Sequence, residues 1–360
     1  MAMPLKGNVI RAGRERNLAI GVLVTVAVFV VGLLWAKWTP YALKALTVGR
    51  THHWSGSSIL AVGGVHAGDR PTWHAAATFF HAYASSIWPA LAVALLISAS
   101  VQALMPRSWL PLALNRRRLV SSALAGGVAG MPSMMCTCCA APVAVTLRRN
   151  GVTPPAAVAY WLGNPLLNPA VLVFLLFVAP WQWTLTRAVV GVATVLGVAA
   201  AVGLTSRAPG GEPAAPAASV ADEATGRPRR FARALLWLGL FLLPEYAILV
   251  LLVGALRGWL LTLGQPAHHG LLAGLLLVTL VATVGTLIVI PTAGEIPILQ
   301  GLALLGASSG TIGALLITLP AVSIPGAAMV ARSFGWKATA TTTGVVIAAG
   351  LLGAAVLSLL

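Results

Sequence analysis

The chain has 360 residues, of which 58% are hydrophobic and 8% charged, with a mean hydropathy of +0.91, whereas soluble domains carry about 25% charged residues. That excludes a soluble globular protein and indicates an all-α polytopic membrane protein, since long uncharged stretches can cross a bilayer by satisfying their own backbone as helix. The formal charge of +16 is scattered over short connections and the N-terminal region, a distribution that sets membrane topology and offers no patch for nucleic acid.

Crossing hydrocarbon about 30 Å thick takes about 20 apolar residues. Full spans are expected at roughly 18 to 36, 79 to 104, 155 to 178, 184 to 204, 231 to 256, 311 to 331 and 337 to 359, about seven in all. The first has a basic lead-in and no small-residue cleavage site after it, because Trp35-Ala-Lys-Trp-Thr-Pro40 follows. It is therefore expected to stay as an uncleaved anchor helix, with residues 1–72 comprising that anchor and an external connection. The stretches 119 to 149 and 272 to 305 are each too long for one span and are interrupted by Pro or Gly. They suit two re-entrant helical hairpins, which are tolerated where protein or a water-filled cavity receives them. With the N-terminus cytoplasmic, 17 Lys and Arg fall inside and six outside, among them Lys37, Lys44, Arg50 and Arg70 of the 37 to 72 connection.

Residues 205–230 are rich in Ala, Pro, Gly and charge with no apolar period, and read as a disordered cytoplasmic linker. It separates a first membrane repeat, 73–204, from a second, 231–360. Shifting the second by 155 residues pairs Gly130 with Gly285, Thr137 with Thr292, Pro142 with Pro297, Leu147 with Leu302, Gly151 with Gly306, Ala159 with Ala314 and Pro165 with Pro320. In the expected topology the two hairpins enter from opposite sides, giving inverted-topology repeats. Secondary transporters of that design hold substrate between the repeats, at broken helices.

The chemistry concentrates at the hairpin tips. All three cysteines, Cys136, Cys138 and Cys139, lie in Gly130-Met-Pro-Ser-Met-Met-Cys-Thr-Cys-Cys-Ala-Ala-Pro142. Thiols and thioethers are soft ligands for metals and metalloids. Cys136 and Cys139, at i and i+3, share a helical face and are the candidate transient metal or metalloid contacts. Cys138 joins them only if the turn after Pro132 is unwound. A packing role would instead scatter cysteines through the spans, as it does other small residues. The opposing tip carries Pro291-Thr292-Ala-Gly-Glu295-Ile-Pro297. Glu245 and Glu295 are the two acidic residues within apolar stretches, where a carboxylate costs about 2.5 to 3.5 kcal/mol on insertion scales. They are the candidates for proton coupling, although Glu295 equally suits a cap on the half-helix that begins there.

After the first hairpin, Trp161-Leu-Gly-Asn164-Pro165-Leu-Leu-Asn168-Pro169 offers two asparagines on one helical face and two prolines that each free a carbonyl. The candidate substrate contacts are thus Cys136, Thr137, Cys138, Cys139, Asn164, Asn168, Thr292 and Ser323. The seven histidines have no metal-ligand spacing, and neither phosphate-binding loops nor protease motifs are present, so no cofactor and no enzyme activity are expected.

The strings Gly-Met-Pro-Ser-x-x-Cys-Thr-Cys-Cys-Ala-Ala-Pro, Trp-Leu-Gly-Asn-Pro-x-x-Asn-Pro, Pro-Thr-Ala-Gly-Glu-Ile-Pro and Ser323-Ile-Pro325 resemble the ArsP/YraQ-like predicted permeases. Lys37-Trp-x-Pro-Tyr41 is similar to the N-terminal pattern of that family. The resemblance implies a permease of the bacterial inner membrane exporting a soft, thiol-reactive solute such as a trivalent organoarsenical or a metal ion, with the lipid bilayer as its setting and homo-oligomers left open. Two other readings stand beside it: a transmembrane thiol-disulfide electron carrier, and a metal-sensing subunit without transport.

Overall fold

The computed structural model describes residues 5–53, 59–104, 109–205, 227–262, 271–304 and 306–360, whose regular structure is helical, with no strand among them. Of the linker expected at 205–230, residues 206–226 lie outside the described residues, while Thr205 ends one helix and Arg227 to Arg230 open the next. Helix α1 (Leu5–Leu33) passes through a wide π turn, Leu34–Trp38, into α2 (Thr39–Thr51), and stops at His52, which takes a left-handed conformation. Half of the expected external connection is therefore helix. Pro40 does not interrupt it, because a proline in the first turn of a helix segment loses no hydrogen bond it would have made.

Next come α3 (Trp73–Leu104), α4 (Trp109–Leu114), α5 (Leu119–Gly130), α6 (Thr137–Arg149), α7 (Pro154–Leu166), α8 (Pro169–Val178) and α9 (Trp181–Thr205). After the linker follow α10 (Arg227–Thr262), α11 (Leu271–Gly285), α12 (Glu295–Leu304), α13 (Ser309–Ala321), α14 (Ile324–Phe334) and α15 (Trp336–Leu359). Among the described residues five helical stretches are long and apolar enough to cross a membrane, and a sixth is added if α13 and α14, bent by 52°, count as one span. The break in that pair and the break between α7 and α8 have one cause: Pro169 and Pro325 open the second member of each pair, so the chain cannot continue as a single helix.

The 155-residue offset reaches beyond the seven identities. Gly130 and Gly285 end α5 and α11, and Arg149 and Leu304 end α6 and α12. Helices α7 and α13 have equal lengths, from Pro154 and Ser309, while α8 and α14 start at Pro169 and Ile324, and α9 and α15 at Trp181 and Trp336. Even the prolines inside the two longest helices, Pro89 in α3 and Pro244 in α10, keep the spacing.

Packing follows the same plan. In the first set α5, α7 and α9 lie against one another, and in the second α11, α13 and α15 do. In the first expected hairpin the two legs share α7, but α6 also packs on α3 and α14 whereas α5 packs on α9. Close approach needs glycine. A Cβ on Gly126 would meet the Ala156 carbonyl oxygen at 2.1 Å, one on Gly163 the Gly127 oxygen at 2.6 Å, and one on Gly313 the Gly353 oxygen at 2.3 Å. Small-residue contacts of this kind replace the hydrophobic drive that lipid removes. At the centre Trp161, fully buried, donates its indole N–H to the Thr137 carbonyl at 2.8 Å and so ties α7 to the start of α6.

Candidate functional site

Between α5 and α6 the chain is not helical in the ordinary sense. Met131–Ser133 form one 3-10 turn, Met134 is left-handed (φ 49°), and Cys136 is extended (φ −73°, ψ 166°) as the cap before Thr137. This unwound backbone turns Cys136 back toward the first turn of α6. All three sulfurs come within 4.8 Å of one another, buried and as free thiols, with Cys136 Sγ and Cys138 Sγ 2.9 Å apart. The condition set by the sequence, that three sulfurs converge only on irregular backbone, is met by the Pro132–Cys136 segment.

Two groups that sequence reasoning did not select stand near the tips. Tyr83 of α3 places its hydroxyl 3.2 Å from Cys138 Sγ. Lys37, on the π turn, is 6% exposed. Its ammonium donates to the Tyr41 hydroxyl at 3.0 Å and to Thr292 Oγ1 at 3.2 Å. Next to it, the Trp38 indole donates to the Pro132 carbonyl at 2.7 Å. The N-terminal rod thereby touches both broken tips: Pro132 before the cysteines and Thr292 before α12.

Placing Lys37 in an external connection is therefore corrected on one point: its side chain is buried in the interior. A span read from apolar residues ends where charge begins, yet a long Lys stem can carry its ammonium to polar partners inside. A π turn widens the helix by one residue and often accompanies a functional position.

Glu295 opens α12, as expected of a residue at a half-helix start, and its carboxylate is held in an ion pair. Its Oε1 lies 2.7 Å from Nη1 of Arg187 in α9, with side chains 2% and 0% exposed. The remaining donors of Arg187 reach the Pro165 oxygen at 2.8 Å and the Leu166 oxygen at 3.3 Å, carbonyls at the α7–α8 break. One guanidinium thus joins the proline break of the first set to the helix start of the second. Arg187 had a signal: it stands inside the span expected at 184 to 204, and an ionisable residue at such depth needs a partner. The backbone of Glu245 belongs to α10, while its side chain lies outside the described residues.

The other candidates sit on the breaks. Thr137 turns away from the sulfurs, its hydroxyl donating to the Pro320 carbonyl at 2.9 Å. Asn164 donates to the Tyr160 carbonyl at 2.9 Å, leaving its own side-chain oxygen buried without a partner. Asn168 caps α8, its side-chain oxygen accepting from the amides of Ala170 and Val171 at 3.0 and 3.4 Å. Ser323 caps the start of α14 in extended conformation, its hydroxyl buried and unpartnered. The sulfur site is closed: a surface groove lined by Arg229, Arg233 and Trp237 lies toward the far end of α6, where Arg149 stacks over Trp237.

Comparison with known proteins gives two matches. The family described as "predicted permease", of the ArsP type, matches residues 72–359. The UPF0718 protein YraQ of Escherichia coli is 38% identical over 325 residues, covering 90% of this chain and 91% of the relative. No solved structure matches.

Proposed function

The chain belongs to the predicted permease family, and from that premise we propose that it is a secondary transporter exporting a soft, thiol-reactive solute from the bacterial cytoplasm, a trivalent organoarsenical or a soft metal ion. The observation that carries the reading is the closed cluster of three free thiols at a helix break, where α6 meets α14 of the other set. Three sulfurs without a fourth ligand suit exchange more than permanent retention, since structural thiolate sites close around their metal with four ligands.

In this mechanism Cys136 and Cys139 take the cargo, Cys138 adds the third sulfur, and Thr292 serves as a substrate contact of the second tip. The two sets, related as inverted repeats, rock against each other around the broken tips. Asn164, Asn168, Thr137 and Ser323, all on breaks, line the moving surfaces. Glu295 alternates between its ion pair with Arg187 and a protonated state; a proton arriving there releases α12 from α9 and couples the swing to a proton gradient.

The test is resistance and efflux in a sensitive host, scored against methylarsenite, arsenite, silver and copper. Cys136→Ser and Cys139→Ser are expected to abolish resistance to whichever solute the wild type exports. Unchanged efflux in both variants would remove the thiols from the mechanism. A thiol-disulfide carrier would need a second cysteine site to pass electrons on, and the three clustered cysteines are all that the sequence holds.

A further inference from the structure

The first turns of α10 present one face with two chemistries. Arg229 and Arg233 stand toward its N-terminal end, Leu236, Trp237 and Leu240 continue it, and together they line the groove beside the end of α6. These positions recur at intervals of three and four residues, so they share one side of the helix. Leu236 and Leu240 are 72% and 71% exposed. Arg149, in the last turn of α6, lays its guanidinium over the Trp237 ring, 5.3 Å from the ring centre. That stack uses the face of the guanidinium, while its N–H donors point outward in its plane. Three arginines from two helices thus rim a groove whose floor is apolar. From Arg233 to Leu240 the helix descends about 10 Å, enough to cross a headgroup layer about 5 to 7 Å thick and enter hydrocarbon. Acidic side chains do not cancel this charge: in the expected topology the same side of the membrane holds 17 Lys and Arg against four acids, Glu15, Glu212, Asp222 and Glu223. Glu245, also on α10, falls about 140° round the helix from Leu240 at about 100° per residue.

We propose that this groove binds an anionic phospholipid, with the phosphate among Arg149, Arg229 and Arg233 and an acyl chain along Leu236 and Leu240. Guanidinium groups suit phosphate because their donors form a fork that matches its oxygens. A basic rim at the headgroup level beside a helix is the chemistry that recognises anionic lipid, and Trp237 sits at the level where tryptophan is enriched. A zwitterionic lipid brings a cation of its own to the rim, and three guanidinium groups repel it. A soluble phosphate uses the rim alone and gains nothing from the leucines. Helix α6 carries Cys138 and Cys139 in its first turn and Arg149 in its last, so the lipid holds the cysteine-bearing helix to α10 at the end away from the sulfurs. Lipid binding here is independent of what the sulfurs carry.

Native mass spectrometry of the purified full-length protein in detergent, titrated with dioleoylphosphatidylglycerol or with dioleoylphosphatidylcholine, resolves the first bound lipid and gives the ratio of the two affinities. The wild type is expected to prefer phosphatidylglycerol about tenfold or more, since each basic side chain beside an anionic headgroup contributes about fivefold. Arg229→Gln/Arg233→Gln is then expected to lower the ratio about tenfold or more, and Arg149→Gln about fivefold. Arg50→Gln/Arg70→Gln removes as much charge from the opposite side and is expected to hold the ratio within about twofold of wild type, because those arginines lie beyond a Debye length of the groove. A wild type without the preference, an unchanged ratio in Arg229→Gln/Arg233→Gln, or an equal fall in the control pair overturns the site. So does displacement of the lipid by an equal concentration of glycerol 3-phosphate, which carries the phosphate without chains and would assign the groove to a soluble phosphate.

Discussion

Replacing Glu295 with Gln tests the buried ion pair. The pair has a 2.7 Å contact and side chains 2% and 0% exposed, so water cannot take over from the lost carboxylate. Arg187 keeps its bonds to the Pro165 and Leu166 oxygens, and the new amide can still accept one hydrogen bond. What is lost is the compensating charge, and stranding one partner of a buried pair costs about 3 to 5 kcal/mol. Arg187→Met strands Glu295 instead and leaves two carbonyls at the α7–α8 break without their donor, so its cost is at least as large. The double variant Arg187→Met/Glu295→Gln removes both charges, and its remaining loss is the two unpaired carbonyls, about 1 to 3 kcal/mol each. The double is therefore expected to be more stable than Arg187→Met, which carries the same unpaired carbonyls and a stranded carboxylate besides, with a coupling of about 2 kcal/mol or more. Unfolding in mixed micelles, titrated with a denaturing detergent and followed by tryptophan fluorescence, measures all four proteins on one scale. Additive losses, within the ~0.5 kcal/mol expected of independent sites, would refute the pairing, as would a Glu295→Gln variant as stable as wild type.

Glycine contacts give a second test by the same unfolding titration: Gly353→Ala, whose Cβ would meet the Gly313 oxygen at 2.6 Å and Ile317 Cγ1 at 2.8 Å, is expected to lose about 1 to 3 kcal/mol. Gly344→Ala, in the same helix with nothing within 4 Å, is expected to be neutral or to gain a few tenths of the ~1 kcal/mol by which Ala exceeds Gly in a helix. Asn168→Ala removes the cap of α8 and is expected to cost about 1 kcal/mol, with Asn168→Ser restoring most of it. Equal stability of Asn168→Ala and wild type would show that Pro169 alone fixes the start of α8.

What the sequence disclosed, and what it hid, divides along a physical line. Composition and proline positions are local properties, and they disclosed an all-α membrane protein, the kink at Asn168-Pro169 inside what was expected as one span, and the tip where helix gives way after Pro132. The cysteine cluster was legible for the same reason, because three sulfurs within four residues need no tertiary information to be near one another. The partners that complete the site were not legible. Tyr83 reaches Cys138 and Lys37 reaches Thr292 from helices far away in sequence, and apolar patterning says that a segment is buried without saying which face meets which neighbour. Arg187 was hidden by the assumption that basic residues near span ends belong to loops. The 155-residue offset shows a related limit: identities mark it from Gly130 to Pro165, while helix ends keep it from α5 to α15, since a fold constrains where helices stop more tightly than which residues fill them.

The π turn at Leu34–Trp38 acts as a phase shifter between two gears. On its N-terminal side α1 meshes with α3, with Gly21 against the Leu104 oxygen and Gly32 against Val93. On its C-terminal side α2 meshes with α8, with Gly49 against Phe177 and Tyr41 against Phe174. One surplus residue in the turn sets the rotation between those two faces by about 100°, the angle that a single residue occupies in a helix of 3.6 residues per turn. Deleting one residue there would return the rod to regular winding. It could then seat against α3 or against α8, but not both, and the lysine would lose its reach to Thr292 in whichever register won.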